Sequence, residues 1–445
     1  MTPGAQVAAA IDILGEVETG GRPADDAAAD YFRARRYIGA GDRGQIAGHV
    51  YTVLRHRAAL DWWIARLGNG AVVPAARSRV LAALMLAEGW QAERVAAGCD
   101  GERFRPAPLD ATERHLVKAL VTRTLRHPHM PRSVANDLPD WLEPHLERVF
   151  GAGLEREMAA LNTGAPVDLR VNLLKADLDT ARQALAAEGV RAAPPRWSPI
   201  GLRLTERAPL SGLGAFRDGL FDVQDEGSQL AALLVGARPG MRVADFCAGA
   251  GGKTLALAAA MANRGKLVAC DVSAHRLERA ARRLRRAGVG NVERRRLTSE
   301  RDPWVKRHAG GFDRVLVDAP CLGTGTWRRN PDAKWRARPE DLAELSVRQQ
   351  QILRSAARLV RPGGRLVYVT CSLLRDENQD QAAAFLAASP DFAPFPAARA
   401  WAETIGGASP GGDDYLFLTP ARHGTDGFFV AIFERRQAIP QGRPE

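Results

Sequence analysis

The apolar positions follow two regimes along the chain. Over residues 1–130 they recur at helical spacing. Ile46, Val50, Val53, Leu54, Leu60, Ile64 and Leu67 form one stripe, with Asp42 placed to cap its start. Val80, Leu81, Leu84 and Leu86 form a second, and Leu116, Leu120, Val121 and Leu125 a third. No strand-like alternation interrupts them, so this region reads as an all-helical domain. Pro128, Pro131 and the polar residues Asn136 and Asp137 then mark a linker. Residues 140–222 mix elements: a helix over 143–161, a strand over 168–172, a helix over 179–187 and strands over 200–204 and 219–223. That mixture predicts a small α+β module. From residue 223 to 436, short apolar runs at 242–246, 266–270, 312–317 and 365–370 alternate with helices at 253–262, 273–287 and 339–359. Such alternation predicts a Rossmann-like α/β domain with a mostly parallel sheet. A last run, 427–433, is expected to close the sheet edge, and 437–445 to form a flexible tail.

Composition adds partners and a compartment. The chain has 445 residues, more than one core usually serves, and carries a formal charge of +11, which suits a polyanion. A bias toward Arg in the proteome explains that charge equally well. Five widely spaced cysteines form no disulfide framework and fit a reducing compartment. With no basic-then-apolar leader and no stretch long enough to span a bilayer, a cytoplasmic protein with no membrane partner is expected. Closely spaced Cys pairs are missing and about four ligands are needed, so no metal is expected. A monomer is the working expectation.

Parallel sheets bind ligands beyond the carboxyl ends of their strands, and the chemistry-bearing residues gather there. The first loop contains Cys247, Ala248, Gly249, Ala250, Gly251, Gly252 and Lys253. It is not a P-loop, because Cys247 stands where the first glycine would be. It is not a dinucleotide loop either, because Thr254 replaces the last glycine. The second run ends in Asp271, about 20 residues on, where an acid can reach ribose hydroxyls. A nucleoside without a pyrophosphate fits both features, and S-adenosylmethionine is the commonest such ligand. The third run ends in Asp318-Ala319-Pro320-Cys321 and the fourth in Thr370-Cys371-Ser372, so two thiols share the same edge. One buried Cys is an ordinary small hydrophobe, but two beside an acid and a nucleoside loop point to chemistry. Thiolate addition to carbon-6 of cytosine makes carbon-5 nucleophilic toward a methyl sulfonium. Asp318 suits the ring nitrogen, and a second thiol suits removal of the carbon-5 proton.

These segments resemble the Sun/RsmB family of RNA cytosine-5 methyltransferases. The match runs through Arg170-Val171-Asn172, Val223 to Gln229, the Cys247–Lys253 loop, Asp271, Asp318 to Cys321, Thr370-Cys371-Ser372 with Glu377-Asn378, and Gly424 to Phe429. The resemblance implies S-adenosylmethionine as cofactor and RNA as partner, ribosomal RNA first and transfer RNA as the rival. It implies Cys371 as nucleophile, Cys321 in product release, and Asp318 and Lys253 beside them. Cys321 is the nucleophile in the rival assignment, that of DNA cytosine methyltransferases. A non-catalytic RNA-binding factor is the reading from another class, and the intact Cys371, Cys321 and Asp318 speak against it. Where the family carries an acid near the adenine, this chain has Thr298, followed by Ser299 and Glu300. The N-terminal helices resemble a NusB-type RNA-binding domain around Val50 to Arg57.

Trp327, Arg328 and Arg329 follow the Asp318 loop and are expected to contact RNA, together with Arg170 and Asn172 of the matching segment. Six arginines between Arg276 and Arg286 fall all round their helix, as in a solvated helix. Trp62 and Trp63 read as core or domain-interface residues, and His423 as a satisfied loop histidine.

Overall fold

The computed structural model describes residues 1–68, 70 and 72–437; the tail expected at 437–445 thus lies outside the described residues but for Gln437. The chain forms two compact units, one of residues 1–164 with 326–337, the other of 165–325 with 338–445.

The first unit is helical. The stripe from Ile46 to Leu67 is not one helix: it breaks at His56 into Ala40–Arg55 and Arg57–Leu67. Asp42 does not cap it. Gly39 precedes the first helical residue, and Asp42 lies in the first turn, accepting from Gln6 Nε2 at 2.9 Å. Ile13, Leu14, Ile46, Val50, Leu60, Ile64, Leu81 and Leu116 make one core, which also takes Trp63. The helices Glu143–Phe150 and Leu154–Leu161, expected with the α+β module, belong to this unit.

The segment 326–337 belongs to it too. Trp335 Nε1 donates to Leu54 O at 2.6 Å, and Asp332 accepts from Ala24 N at 3.2 Å. Lys334 is fully buried and donates to Arg55 O at 3.1 Å and to Asn162 Oδ1 at 2.8 Å. Trp327 and Arg328 are buried as well. The sequence pointed to an exposed track of aromatic and basic side chains here, but the segment is pinned by its side chains.

The second unit begins with a small sheet of β1 (Asp168–Val171), β2 (Ala192–Ala193), β3 (Gly201–Leu204) and β4 (Phe221–Val223), in the order β2-β3-β1-β4. All its pairs are antiparallel. Leu169, Val171, Leu202 and Phe221 pack with Leu185 of the helix Leu178–Ala187.

The larger sheet comprises β5 (Arg242–Asp245), β6 (Lys266–Asp271), β7 (Val292–Arg296), β8 (Phe312–Asp318), β9 (Val360–Thr370), β10 (Phe392–Phe395), β11 (Leu416–Leu418) and β12 (Phe428–Arg435). Its order is β10-β12-β9-β8-β5-β6-β7, with β11 beside β12. β5 to β9 run parallel, and β10, β11 and β12 antiparallel. The inner parallel strand β6 is buried on both faces, which is why Leu267-Val268-Ala269-Cys270 is a continuous apolar run. β12 does not close the edge as expected, since β10 lies outside it. The chain leaves β5 toward β6 and β7, then returns on the other side through β8 and β9. The order therefore reverses between β5 and β8, where a doubly wound sheet opens its ligand crevice.

Candidate active site

The loop after β5 is shaped by two glycines at positive φ, Gly249 at 53° and Gly251 at 80°. A Cβ on Gly251 would also stand 3.0 Å from Ala280 Cβ, so the loop lies close against the helix Ala274–Ala287. A Cβ on Gly249 would meet nothing within 4 Å, so the loop is open on that side. Ala248 N donates to Cys270 O at 2.8 Å. Asp271 holds the loop from β6, accepting from Gly249 N at 2.8 Å and from Ser273 N at 2.7 Å. Each of its oxygens keeps a lone pair for a ribose hydroxyl. Arg283 donates to Ala250 O at 2.8 Å and Arg286 pairs with Asp222 at 3.2 Å, so two of the helix's arginines are structural.

Asp245 ends β5 fully buried. Oδ2 accepts from Thr254 Oγ1 at 2.7 Å, and Oδ1 has no protein partner. Burial pushes its carboxyl up to about 7. Burial likewise pushes up the Cys247 thiol, aided by Asp245 and Asp318. Lys253, one residue into its helix, pairs with Asp318 Oδ2 at 2.7 Å. Burial alone would lower its pKa, but Asp318 outweighs this and raises it.

Asp318 ends β8 and is in register with Val369 of the adjacent β9, so the loops after these strands emerge side by side. They bring Cys321 Sγ to 3.5 Å from Cys371 Sγ, both thiols free and half-buried. Gly325 N donates to Cys371 O at 2.9 Å, and Gly427 N to Gly325 O at 2.8 Å. A Cβ on Gly325 would stand 2.4 Å from Gly427 O, so this approach requires glycine. Ser372 lies 3.3 Å from Thr324 Oγ1, and Asn378 Nδ2 donates to Ser372 O at 2.8 Å.

Other expected site residues lie elsewhere. Thr298 is exposed, and its hydroxyl and N–H both donate to Asp302 Oδ2, at 3.0 and 2.8 Å. Asp302 also caps the helix Pro303–Arg307, so the acid nearest this position already has partners, and its signal in the sequence was that of a cap. Glu300 is half-buried and 3.5 Å from Arg301. Arg170 and Asn172 are buried rather than offered to RNA. Arg170 donates to Gln224 at 2.6 Å, and Asn172 to Gly219 O and Ala287 O. Arg329 is half-buried. His423 Nδ1 accepts from Thr419 N at 2.9 Å and its Nε2 meets Pro410 O at 3.1 Å, so its ring is satisfied.

The Asp225–Gln229 stretch is a joint. Asp225 caps its helix, and fully buried Glu226 accepts from Trp197 N, Ser198 N and Arg203. Gln229 donates to Leu169 O and Gln224 O. Among the described residues no His, Cys, Asp and Glu are grouped to hold a metal, and no helix is long and apolar enough to cross a membrane.

An open glycine loop after the first strand, an acid at the end of the second and a buried acid with an unpartnered oxygen fit a nucleoside cofactor bearing an ammonium group. With the sheet order, they define a Rossmann-like, S-adenosylmethionine-dependent methyltransferase domain. Residues 232–434 match the family model described as 16S rRNA methyltransferase RsmB/F, and 138–211 the ferredoxin-like domain of the same proteins. The chain belongs to the RsmB/F methyltransferase family. It is 35% identical over 331 residues to ribosomal RNA small subunit methyltransferase B of Sodalis glossinidius, covering 74% of this chain and 69% of that protein. It is also 35% identical over 301 residues to the probable enzyme of that name in Synechocystis, covering 67% of this chain and 66% of that protein. A crystal structure titled PH0851 superposes with a TM-score of 0.77 at 26% identity over 98% of this chain and 99% of that one. A methyltransferase homologue from Pyrococcus horikoshii gives 0.59 at 27% identity, covering 68% of this chain and 97% of that one.

Proposed function

We propose that this protein methylates carbon-5 of a cytosine in small-subunit ribosomal RNA, through a covalent bond from Cys371 to the base. The observation that carries the reading is the pair of free sulfurs 3.5 Å apart, beyond adjacent strands of a methyltransferase sheet. The matched relatives, named for ribosomal RNA of the small subunit, support the substrate class. The Cys247–Lys253 loop, Asp271 and Asp245 would hold the cofactor, which supplies the methyl group as an electrophile.

The chain's own residues supply the rest. Cys371, whose reactive form would be the thiolate, lies within the electrostatic reach of the Lys253 ammonium. As its sulfur bonds to carbon-6, the carbon-5 to carbon-6 double bond opens and negative charge moves toward ring nitrogen-3. Asp318, bridged to Lys253, is placed to hold a proton at that nitrogen. After methylation the carbon-5 proton must leave, and the electrons of that bond expel Cys371. A thiolate of Cys321, once its neighbour is bonded to the base, accepts that proton.

The test follows from the division of labour. Cys371→Ala is expected to abolish transfer of labelled methyl into RNA while calorimetry still shows cofactor binding. Cys321→Ala is expected to accumulate a covalent protein–RNA adduct, seen as a retarded band on denaturing gels. A normal rate in Cys371→Ala would overturn the nucleophile assignment, and normal turnover without adduct in Cys321→Ala would remove the release role. Bisulfite sequencing of RNA from cells with and without the protein identifies the cytosine.

A further inference from the structure

The two thiols are chemically alike, yet the proposed reaction needs them in different states at the start: one a thiolate, the other a thiol. The surroundings that separate them come from an acid outside the loops that carry them. Glu377, in the short turn Arg375–Glu377, is fully buried. Its carboxylate accepts from Leu322 N at 3.0 and 3.3 Å, the residue that follows Cys321. The hydroxyl of Ser372, the residue that follows Cys371, is bonded to it as well. Gln349, buried on the helix Pro339–Ala357, donates one amide group to Glu377 Oε1 at 3.0 Å and to Pro320 O at 2.9 Å. Cys321 is therefore held on both sides, through Pro320 and Leu322, and the carboxylate that holds it also touches the Cys371 loop.

We propose that Glu377, steadied by Gln349, is a positioning residue that sets the two sulfurs against each other and leaves the negative charge on Cys371. This inference rests on the methyl-transfer reading above for its purpose, but not for its test.

Burial raises the Glu377 carboxyl, while its bonds from Ser372, Leu322 N and Gln349 hold it down; as a carboxylate it opposes a second negative charge on Cys321, whereas the ammonium of Lys253 acts on Cys371. The groups facing the pair are Glu377 and Tyr368 toward Cys321, and Lys253, itself paired with Asp318, toward Cys371. The Cys321 thiol is pushed well up, first by its contact with Cys371, then by burial and by Glu377. The carboxylate thereby favours the proton between the two sulfurs, 3.5 Å apart, on Cys321. The order reverses only when Cys371 has bonded to the base and no longer carries charge. Cys321 then loses a negative neighbour and becomes able to ionise.

The test needs no RNA. The full-length protein is treated with iodoacetamide over a range of pH, and the alkylation of each cysteine is followed by peptide mass spectrometry. In the parent protein Cys371 is expected to react at lower pH than Cys321. Glu377→Gln keeps the size of the side chain but removes its charge. It is expected to raise the Cys321 rate at pH 8 by about tenfold, because losing an opposing charge enlarges the thiolate fraction. Glu377→Asp keeps the charge and is expected to keep the parent order, which separates a charge effect from loss of packing. In Glu377→Gln, kcat for methyl transfer should fall while KM for RNA holds, and Glu377→Asp should restore most of the kcat. Unchanged alkylation of both thiols in a folded Glu377→Gln protein would overturn the inference. So would equal reactivity of the two thiols in Glu377→Asp, should the Gln variant not fold. Failure of the parent protein to methylate any RNA would instead sink the proposed function and leave the alkylation result standing.

Discussion

Lys253 shows how one side chain serves two neighbours. Its ammonium is buried, salt-bridged to Asp318 at 2.7 Å and 5.2 Å from the centre of the Phe428 ring. Replacing it by methionine keeps the stem and removes the charge. Lys253→Met should shift Cys371 alkylation to higher pH and lower kcat by about 10²–10⁴-fold, the usual range for a positioned proton-transfer or charge-stabilising group. Unchanged alkylation and turnover would show that Lys253 serves only the fold. At this scale the nearness of Cys321 to Cys371 was legible, because both follow strand ends that the parallel sheet brings together, and Lys253, in the helix after the first loop, meets Asp318 at the same edge. Glu377 was seen only as part of a matching segment, and Gln349 and Arg283 were not singled out. Their roles depend on contacts between elements distant in sequence, such as Gln349 with Pro320, 29 residues away, and no local pattern marks them. Asp302 reads locally as a helix cap, and its bond to Thr298 is invisible without the turn between them.

At the scale of elements, helices and parallel strands were the legible part. Periodicity marks the helix Leu178–Ala187 and the strands β6, β8 and β9, because burial on one or both faces imposes it. The strands β10 and β11 were missed because they are four and three residues long, and Pro394 interrupts the first. The segment 326–337 misled for a different reason: Trp, Arg and Lys suit RNA stacking and dense packing equally, and only the burial of Trp327 and Lys334 separates the two. That burial has a measurable consequence. Lys334 faces Asp137, Arg126 and Arg55, and desolvation lowers its pKa from 10.5 to about 7. In the unfolded chain it keeps its proton up to its ordinary value, so between about pH 7 and 10.5 the unfolded state binds more protons than the folded one. Stability from this group therefore rises with pH across that window, and the burial cost is full below it. Urea unfolding followed by circular dichroism should show a smaller gain from pH 7 to 9 in Lys334→Met than in the parent. Equal gains would mean that Lys334 stays charged in the fold. The meeting of the Gly325 and Gly427 loops gives a second prediction. Gly325→Ala forces backbone against backbone and displaces the Cys371 carbonyl. It should cost about 1–3 kcal/mol of stability, as overpacking does, and depress kcat beyond what the lost stability explains. Parent-like melting and turnover would show that the loops part freely.

Across the whole molecule the question is how much of the +11 charge serves RNA. Some arginines are already paired with acids, Arg283 and Arg286 with Asp222, Arg294 with Glu278, and Arg79 with Asp61 and Glu18, but these pairs leave the net surplus unchanged. On the helix Ala274–Ala287, Arg276, Arg279, Arg282 and Arg285 remain exposed. At 3.6 residues per turn they spread over about half its circumference, opposite the buried Leu277, Ala281 and Leu284 and not all round the helix as expected, so one phosphate strand cannot meet them all. If the proposed RNA substrate is bound through phosphates, its affinity should fall with salt, by about tenfold or more between 50 and 200 mM for three or more contacts. Changing Arg276, Arg279 and Arg282 together to glutamine should then reduce the slope of log affinity against log salt by no more than about 0.7, one contact on single-stranded RNA. Filter binding at five salt concentrations measures it. A reduction near 2 would make this helix a phosphate track after all. A parent slope near zero would detach the basic charge from RNA binding altogether.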